Sequence, residues 1–404
     1  MNLLPVETAL RTILEAITTL DSEQVPLMAA TGRVLAEDAK ATFSQPPFDG
    51  SAMDGYAVKT ADCEIDATLS VIGTSAAGES FDGEVKDGEC TRIYTGAPIP
   101  KGADAVIMQE HVTREGDAIT INEAAKLSQN IRFAGNDFAD GDTVIGSGTK
   151  LSPFHVTLAA AANFPSLTVR KAPRVTMVAT GDELVTPGTP LGKDQIIASN
   201  AYGLLPLLSA YGAKVKDKGI IKDEPETLKA ALKAALDEEP NILITTGGAS
   251  VGDRDYVKPV LEELGVKLDF WKIAVRPGKP LMFGRHGKTL IFGLPGNPVS
   301  ALATATVFAV PAVKALQGLT AQHDFVHLPL ANDLRKNGPR EFYHRAKLTR
   351  ETDNRLIVDA SRAIDSAHLS SLSTCDCFVK QVPFCEGKAA GELVEVIMLP
   401  WALS

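Results

Sequence analysis

The 404-residue sequence predicts a multidomain protein of α/β and β class, with a central α/β domain built on a mostly parallel sheet. Three observations carry this. From about Pro173, apolar strand-like runs alternate with helical patterns. Residues 41–140 hold short β-like runs broken by turns. From about residue 321 onward, strand-like runs return as a small antiparallel sheet or barrel.

In chain order, "MNLLPVETALRTILEAI" mixes charges with leucines and has no basic leader, so it predicts an amphipathic helix and not a signal peptide. Within the β-rich region, "VTREGDAITI" predicts a hairpin turning at Glu115–Asp117. "GDTVIGSGTKLSPFHVTLAAAANF" begins extended and ends as an alanine-rich helix. Next, "RVTMVA" predicts a buried strand, and "SNAYGLLPLLSAYG" a helix capped by Ser199 and stopped at Gly212. "KVKDKGII" is a strand, and "DEPETLKAALKAALDEE" a helix with Pro225 in its first turn. The strand "NILITT", a short helix around "VKPVLEEL" and the strand "TLIFG" follow, then a helix opening near Pro298.

Composition narrows the function. A net charge of -10 argues against nucleic acid as the main partner. No uninterrupted apolar run reaches the roughly 18 residues of a membrane span. The five cysteines are odd in number and lack metal-ligand spacing, so a reducing, cytoplasmic setting is expected. Charge is uneven, however. From Phe270 to Gln322 there is no Asp or Glu, while Lys272, Arg276, Lys279, Arg285, Lys288 and Lys314 all fall there. So acid-free a window in an acidic chain suggests a local site for an anion.

Three polar, glycine-containing segments follow apolar strands: "TGDEL" with Asp182 and Glu183, "GGASVGDRD", and "GLPGNP". In parallel sheets ligands sit beyond the carboxyl ends of the strands, so these loops are expected to converge on one edge. Gly247 and Gly248 allow a backbone to approach a ligand, and Ser250 offers a hydroxyl. Asp182, Glu183, Asp253 and Asp255 could hold Mg²⁺ by oxygen ligands around a phosphate. "RPGKP" sets Arg276 and Lys279 around a tight turn, and the helix starting near Pro298 presents free N–H groups. Far upstream, "PPFDGSAMDGYAV" packs two Asp-Gly turns into seven residues and presents Asp54, while "RIYTGAPIPKGADAVI" holds Thr95 after a strand. Together, acids, cations and a helix N-terminus describe a metal-bridged phosphate site for a nucleotide or pyrophosphate compound.

In their order, "SAMDGYAV", "TGAPIPKGADAVI", "TGDEL", "GGASVGDRDY", "RPGKP" and "GLPGNPVSA" resemble the molybdopterin molybdenumtransferase family, which is similar to the C-terminal part of gephyrin. The resemblance spans nearly the whole chain. It implies a homodimer of four-domain subunits: an extended linker domain (22–40 and 141–168), a β-rich inserted domain (41–140), the α/β molybdopterin-binding domain (1–21 and 169–320) and a C-terminal β-barrel-like domain (321–404). The implied reaction is hydrolysis of adenylyl-molybdopterin with molybdate, aided by Mg²⁺, releasing AMP and forming molybdenum cofactor. The implied further partners are the adenylyltransferase that makes the substrate and the recipient molybdoenzymes, with neither nucleic acid nor membrane.

Residue by residue, Asp54 matches the family's acid in the Met-Asp-Gly-Tyr loop and Thr95 its Thr-Gly-Ala-Pro threonine. Glu183 and Asp255 match the acids near metal and nucleotide, with Asp253 beside them. Arg276 and Lys279 match the cations near the pterin phosphate or molybdate, and Pro295 and Pro298 the prolines that shape the pocket. Arg345 and Ser371 match the C-terminal domain's contribution to an oxyanion pocket. Ala249 stands where the family often has valine. The resemblance further implies that Asp54 of one subunit serves a site carrying Asp255 of the other. Two alternatives share parts of the pattern: the adenylyltransferase, expected to read closer to Gly-Gly-Thr-Gly and to lack the flanking domains, and a gephyrin-like scaffold.

Overall fold

Every residue of Arg174–Thr180 after Arg174 is buried. A strand covered on both faces needs such a continuous run. The computed structural model describes residues 3–248, 255–360, 365 and 368–402. It divides into two compact units: Met1–Glu23, Gly32–Val34 and Thr168–Ser404 form one, and Gln24–Thr31 with Leu35–Leu167 the other.

In the first unit, β1 (Arg174–Thr180), β2 (Lys214–Ile221), β3 (Ile242–Thr246), β4 (Lys267–Trp271), β6 (Met282–His286) and β7 (Thr289–Leu294) form a six-stranded sheet. Its order is β2-β1-β3-β7-β6-β4. The first four strands are parallel; β6 and β4 add an antiparallel edge that the sequence patterns did not announce. Side chains alternate between two cores. Met177, Ile244 and Phe292 face one way, toward α1 (Val6–Glu15), α2 (Asn200–Ala210) and α5 (Pro298–Thr304). Val178, Leu243 and Ile291 face the other, toward Leu228 and Leu232 of α3 (Pro225–Leu236) and Val260 of α4 (Val257–Glu263). Helices therefore cover both faces.

One cap departs from expectation. Ser199 precedes α2, but its backbone is already helical and its side chain makes no cap bond. An N-cap hydroxyl reaches the first-turn N–H groups from an extended backbone, which Ser199 does not have. The helical run Pro298–Leu316 is the one helix among the described residues long and apolar enough to cross a membrane. Most of its residues are buried inside the protein, which marks it as a core helix.

The chain then builds a second sheet in the same unit from β5 (Val275–Arg276), β8 (Val326–Pro329), β9 (Glu341–Arg350), β10 (Leu356–Ala360), β11 (Cys377–Gln381) and β12 (Leu393–Met398). Arg276 pairs with Phe342, so the acid-free window is stitched directly to the C-terminal strands.

The other unit holds a six-stranded sheet ordered Ala105–Met108, Gly55–Val58, Glu89–Ile93, Thr68–Ser75, Ala118–Ile121, Val112–Glu115. The expected hairpin is there: Val112–Glu115 pairs antiparallel with Ala118–Ile121, and Gly116 takes φ +62°. Gly55 is required by packing, because a Cβ on it would sit 1.8 Å from the Ile107 carbonyl oxygen. The alanine-rich helix Pro153–Ala161 is capped by Ser152 and His155 in a reciprocal pair. All five cysteines are free.

Candidate functional site

The strands β1, β3 and β7 are adjacent and parallel, so the loops leaving them emerge on one edge of the sheet. A cavity of about 380 Å³ opens there, lined by Thr180 at the end of β1 and Glu183 after it, Gly247 after β3, and Asn297 and Pro298 after β7. Asn200 closes one wall, its Nδ2 donating to the Gly296 carbonyl at 2.8 Å. Asn297 caps α5, its Oδ1 accepting the Val299 N–H at 3.1 Å. Pro298 therefore meets the cavity, whereas Pro295 is buried and does not line it.

Two adjacent glycines let β3 turn away so close to β1. Gly247 and Gly248 take φ +90° and +56°. A Cβ on Gly247 would lie 2.2 Å from the Thr180 carbonyl oxygen, and one on Gly248 2.4 Å from Val257 Cγ2. No other residue type fits this exit. Ala249, Ser250 and Asp253 of the same loop lie outside the described residues.

Acids gather beside the cavity, and one of them was not foreseen. Asp223, just past β2, donates its N–H to Asp182 Oδ1 at 3.1 Å. Burial pushes its carboxyl above the usual range, the charges of Asp182 and Glu183 push further, and Asp255 adds to them against the opposing hydroxyl of Thr180. Four carboxyl groups thus share one electrostatic neighbourhood. The signal was available: "IIKDE" is also a polar segment after an apolar strand, on the fourth parallel strand of the sheet. Among the described residues no three His, Cys, Asp or Glu side chains stand close enough to hold a metal by themselves. An oxygen-only set with one or two protein ligands is what Mg²⁺ takes when water and substrate phosphate complete its shell, so these acids fit that ion.

The cations are placed differently. Gly278 of the "RPGKP" turn has φ +105°, and a Cβ on it would meet Thr304 Cγ2 at 2.1 Å, so the turn seats on α5. Neither Arg276 nor Lys279 lines the edge cavity. Arg276 instead lies over the Phe342 ring, 4.4 Å from its centroid, and borders a second cavity of about 640 Å³ with Arg335, His344 and Gln381. Burial and the neighbouring Arg340 pull its pKa down. Lys279 is exposed. Arg345 is 6% exposed on β9, its Nη2 donating to the Asp365 carbonyl at 3.2 Å. Ser371 sits in the exposed 3-10 turn Leu369–Thr374, which packs against α5, and its Oγ donates to the His368 carbonyl at 2.6 Å.

In the other unit, Asp54 and Thr95 meet. The Thr95 N–H donates to Asp54 Oδ1 at 2.7 Å and the Thr95 hydroxyl to the same oxygen at 2.9 Å. These two bonds, the N–H first, hold the Asp54 carboxyl below the usual range, and the charge of Arg92 assists.

Three family models match the chain in succession: MoeA N-terminal region (domain I and II) over residues 4–163, probable molybdopterin binding domain over 176–315, and MoeA C-terminal region (domain IV) over 327–399. A molybdopterin molybdenumtransferase of Haemophilus influenzae is 42% identical over 74% of this chain and 73% of its own length. One of Staphylococcus aureus is 31% identical over 98% of this chain and 96% of its own. The crystal structure of a molybdopterin biosynthesis MoeA protein from Pyrococcus horikoshii superposes with a TM-score of 0.84 at 31% identity, covering 98% of this chain and 100% of that one.

Proposed function

This chain belongs to the molybdopterin molybdenumtransferase family and inserts molybdenum into molybdopterin during cofactor biosynthesis; we propose that it does so by Mg²⁺-dependent cleavage of adenylyl-molybdopterin with molybdate, releasing AMP. The observation that carries this reading is the carboxylate neighbourhood of Asp182, Glu183, Asp223 and Asp255 beside the edge cavity. Such a concentration of like charge is costly without a cation. When bound there, Mg²⁺ would neutralise phosphate oxygens of the substrate. Glu183 and Asp255 are the residues that would hold it, with Asp253 the third candidate.

The rest of the chemistry falls to this chain's own groups. Gly247 brings its backbone to the cavity wall, and Asn297 and Pro298 at the start of α5 line it too, where the positive end of that helical run favours negative charge. Arg276 and Lys279, with Arg345 and Ser371, serve the anionic pterin phosphate or the molybdate. An oxyanion displacing an adenylate asks for charge neutralisation more than for a protein nucleophile. Asp54, held ionised by Thr95, is a further carboxylate of the reaction. We further propose a two-fold homodimer of four-domain subunits, with an extended linker domain and a barrel-like C-terminal domain, in which Asp54 of one subunit completes the site of the other. The setting is cytoplasmic, and the adenylyltransferase and recipient molybdoenzymes are its partners.

The test is AMP release from adenylyl-molybdopterin by the purified protein, with Mg²⁺ and molybdate each supplied or withheld. Dependence on both supports the reading, and Asp255→Asn should remove most of the Mg²⁺-dependent rate with the fold intact. AMP release indifferent to Mg²⁺ would sink the metal assignment, and no release at all the reaction.

A further inference from the structure

Arg92 lies at the end of the strand that leads to Thr95, and its guanidinium is held from four sides. Nη1 donates to the Gly55 carbonyl at 3.0 Å and Nη2 to Gln109 Oε1 at 2.6 Å. Its central carbon stands 5.1 Å from the centroid of the Tyr56 ring and 4.9 Å from that of Tyr94. Tyr56 is 3% exposed, so that side is rigid, while Tyr94 is 42% exposed and the residue is only partly covered.

A guanidinium carries five N–H donors. Two are used here, which leaves three. No carboxylate among the described residues stands within ion-pair distance of Arg92, and Asp54, the acid whose charge it feels, is engaged by Thr95 instead. A cation held between two rings, with no direct ion pair and with spare donors, has its orientation set before any ligand arrives. Gly55, on whose carbonyl it rests, directly follows Asp54, so the cation and the carboxylate belong to one rigid loop pair.

We propose that Arg92 is an oxyanion-binding residue of the molybdenum-insertion reaction, its free N–H groups receiving either molybdate or the substrate's phosphate. This rests on the reading that the Asp54 loop serves that reaction. A fork of parallel donors suits tetrahedral oxyanions, which a lysine meets only as a point charge.

The experiment measures AMP release by the full chain at fixed Mg²⁺, varying molybdate and adenylyl-molybdopterin in turn, for wild type, Arg92→Met and Arg92→Lys. Arg92→Met should raise the half-saturating concentration of one oxyanion by roughly tenfold or more, with kcat held within about threefold. Arg92→Lys should recover part of the loss. A rise for molybdate alone identifies the inorganic anion; a rise for adenylyl-molybdopterin alone identifies the phosphate. Both values within about twofold of wild type, or a fall in kcat alone, would overturn the proposal. If Arg92→Met does not fold, Arg92→Lys decides, since it keeps the charge and loses the fork: a rise of about threefold or more in either value supports the proposal, and both within about twofold of wild type overturn it. Calorimetric titration with molybdate and with inorganic phosphate tests Arg92 even if wild type releases no AMP. Weaker binding of either anion by the variants supports the assignment, and equal binding of both refutes it.

Discussion

Thr95 gives Asp54 Oδ1 two hydrogen bonds, one from its N–H at 2.7 Å and one from its hydroxyl at 2.9 Å. The residues are 41 apart in sequence, and they meet because Asp54 directly precedes the strand Gly55–Val58, Thr95 lies just past Glu89–Ile93, and these strands pair antiparallel with Gly55 opposite Ile93. An exposed carboxylate is thereby kept both oriented and ionised. Thr95→Val deletes the hydroxyl and keeps the N–H and the shape. It should lower kcat by on the order of tenfold to a hundredfold, because orientation at a reacting centre is steeply rewarded. The sign of the pH effect also follows. A depressed carboxyl stays charged until the pH falls through its lowered pKa, so losing a donor raises that pKa. The acid limb of the rate profile should move upward in Thr95→Val; an unmoved profile at unchanged kcat would remove Asp54 from the chemistry.

Asp223 carries the opposite shift, and the sign reverses with it. Its folded-state pKa is raised by burial and by Asp182, Glu183 and Asp255, so its ionised form destabilises the fold. That cost is fully present above the raised pKa and vanishes as pH falls below the ordinary aspartate value of about 3.9. Without Mg²⁺ at pH 7, Asp223→Asn should therefore melt higher than wild type, with the gain shrinking in acid. Wild type should gain stability from added Mg²⁺ and the variant less. Melting curves at pH 4 and 7, with and without Mg²⁺, check both halves. An identical Mg²⁺ response in the two proteins would take Asp223 out of the metal's surroundings.

For the cations, Lys279 is exposed and has no carboxylate within ion-pair distance among the described residues. Lys279→Ala should raise the molybdate or adenylyl-molybdopterin concentration needed for half-maximal rate by roughly tenfold to a hundredfold, as the loss of a charge-assisted contact does. Its melting temperature should barely move. If both concentrations stay within about twofold of wild type, the residue is only solvated surface.

The shared site proposed above predicts a complementation result. Asp54→Ala and Asp255→Ala homodimers should each be nearly inactive. Refolded together, about half the dimers are mixed, and each mixed dimer holds one intact site, so activity returns to roughly a quarter of wild type. Mixed dimers that are present but inactive would place both acids in one subunit's site.

Much of this was legible in one dimension. The apolar runs at Arg174–Thr180, Ile242–Thr246 and Thr289–Leu294 read as strands, and their alternation with helical patterns argued for a mostly parallel sheet, hence a common edge for the loops that follow. The glycine pair at 247 and 248, the proline opening Pro225–Leu236 and the hairpin at Gly116 were equally local, because each is a backbone preference expressed by the residue that holds it. What the tertiary structure decided are the non-local pairings. Lys267–Trp271 and Met282–His286 alternate too weakly to announce an edge, and only the sheet they extend selects them. Arg276 and Lys279 share a turn with each other but not the edge cavity, since strand pairing carries Arg276 to Phe342. Asp223 looked like the polar lead into a helix until burial and three other carboxyl groups changed its proton affinity. Periodicity records which face of an element meets the core; the field at a side chain depends on charges that distant segments bring to it, and that information exists only after folding.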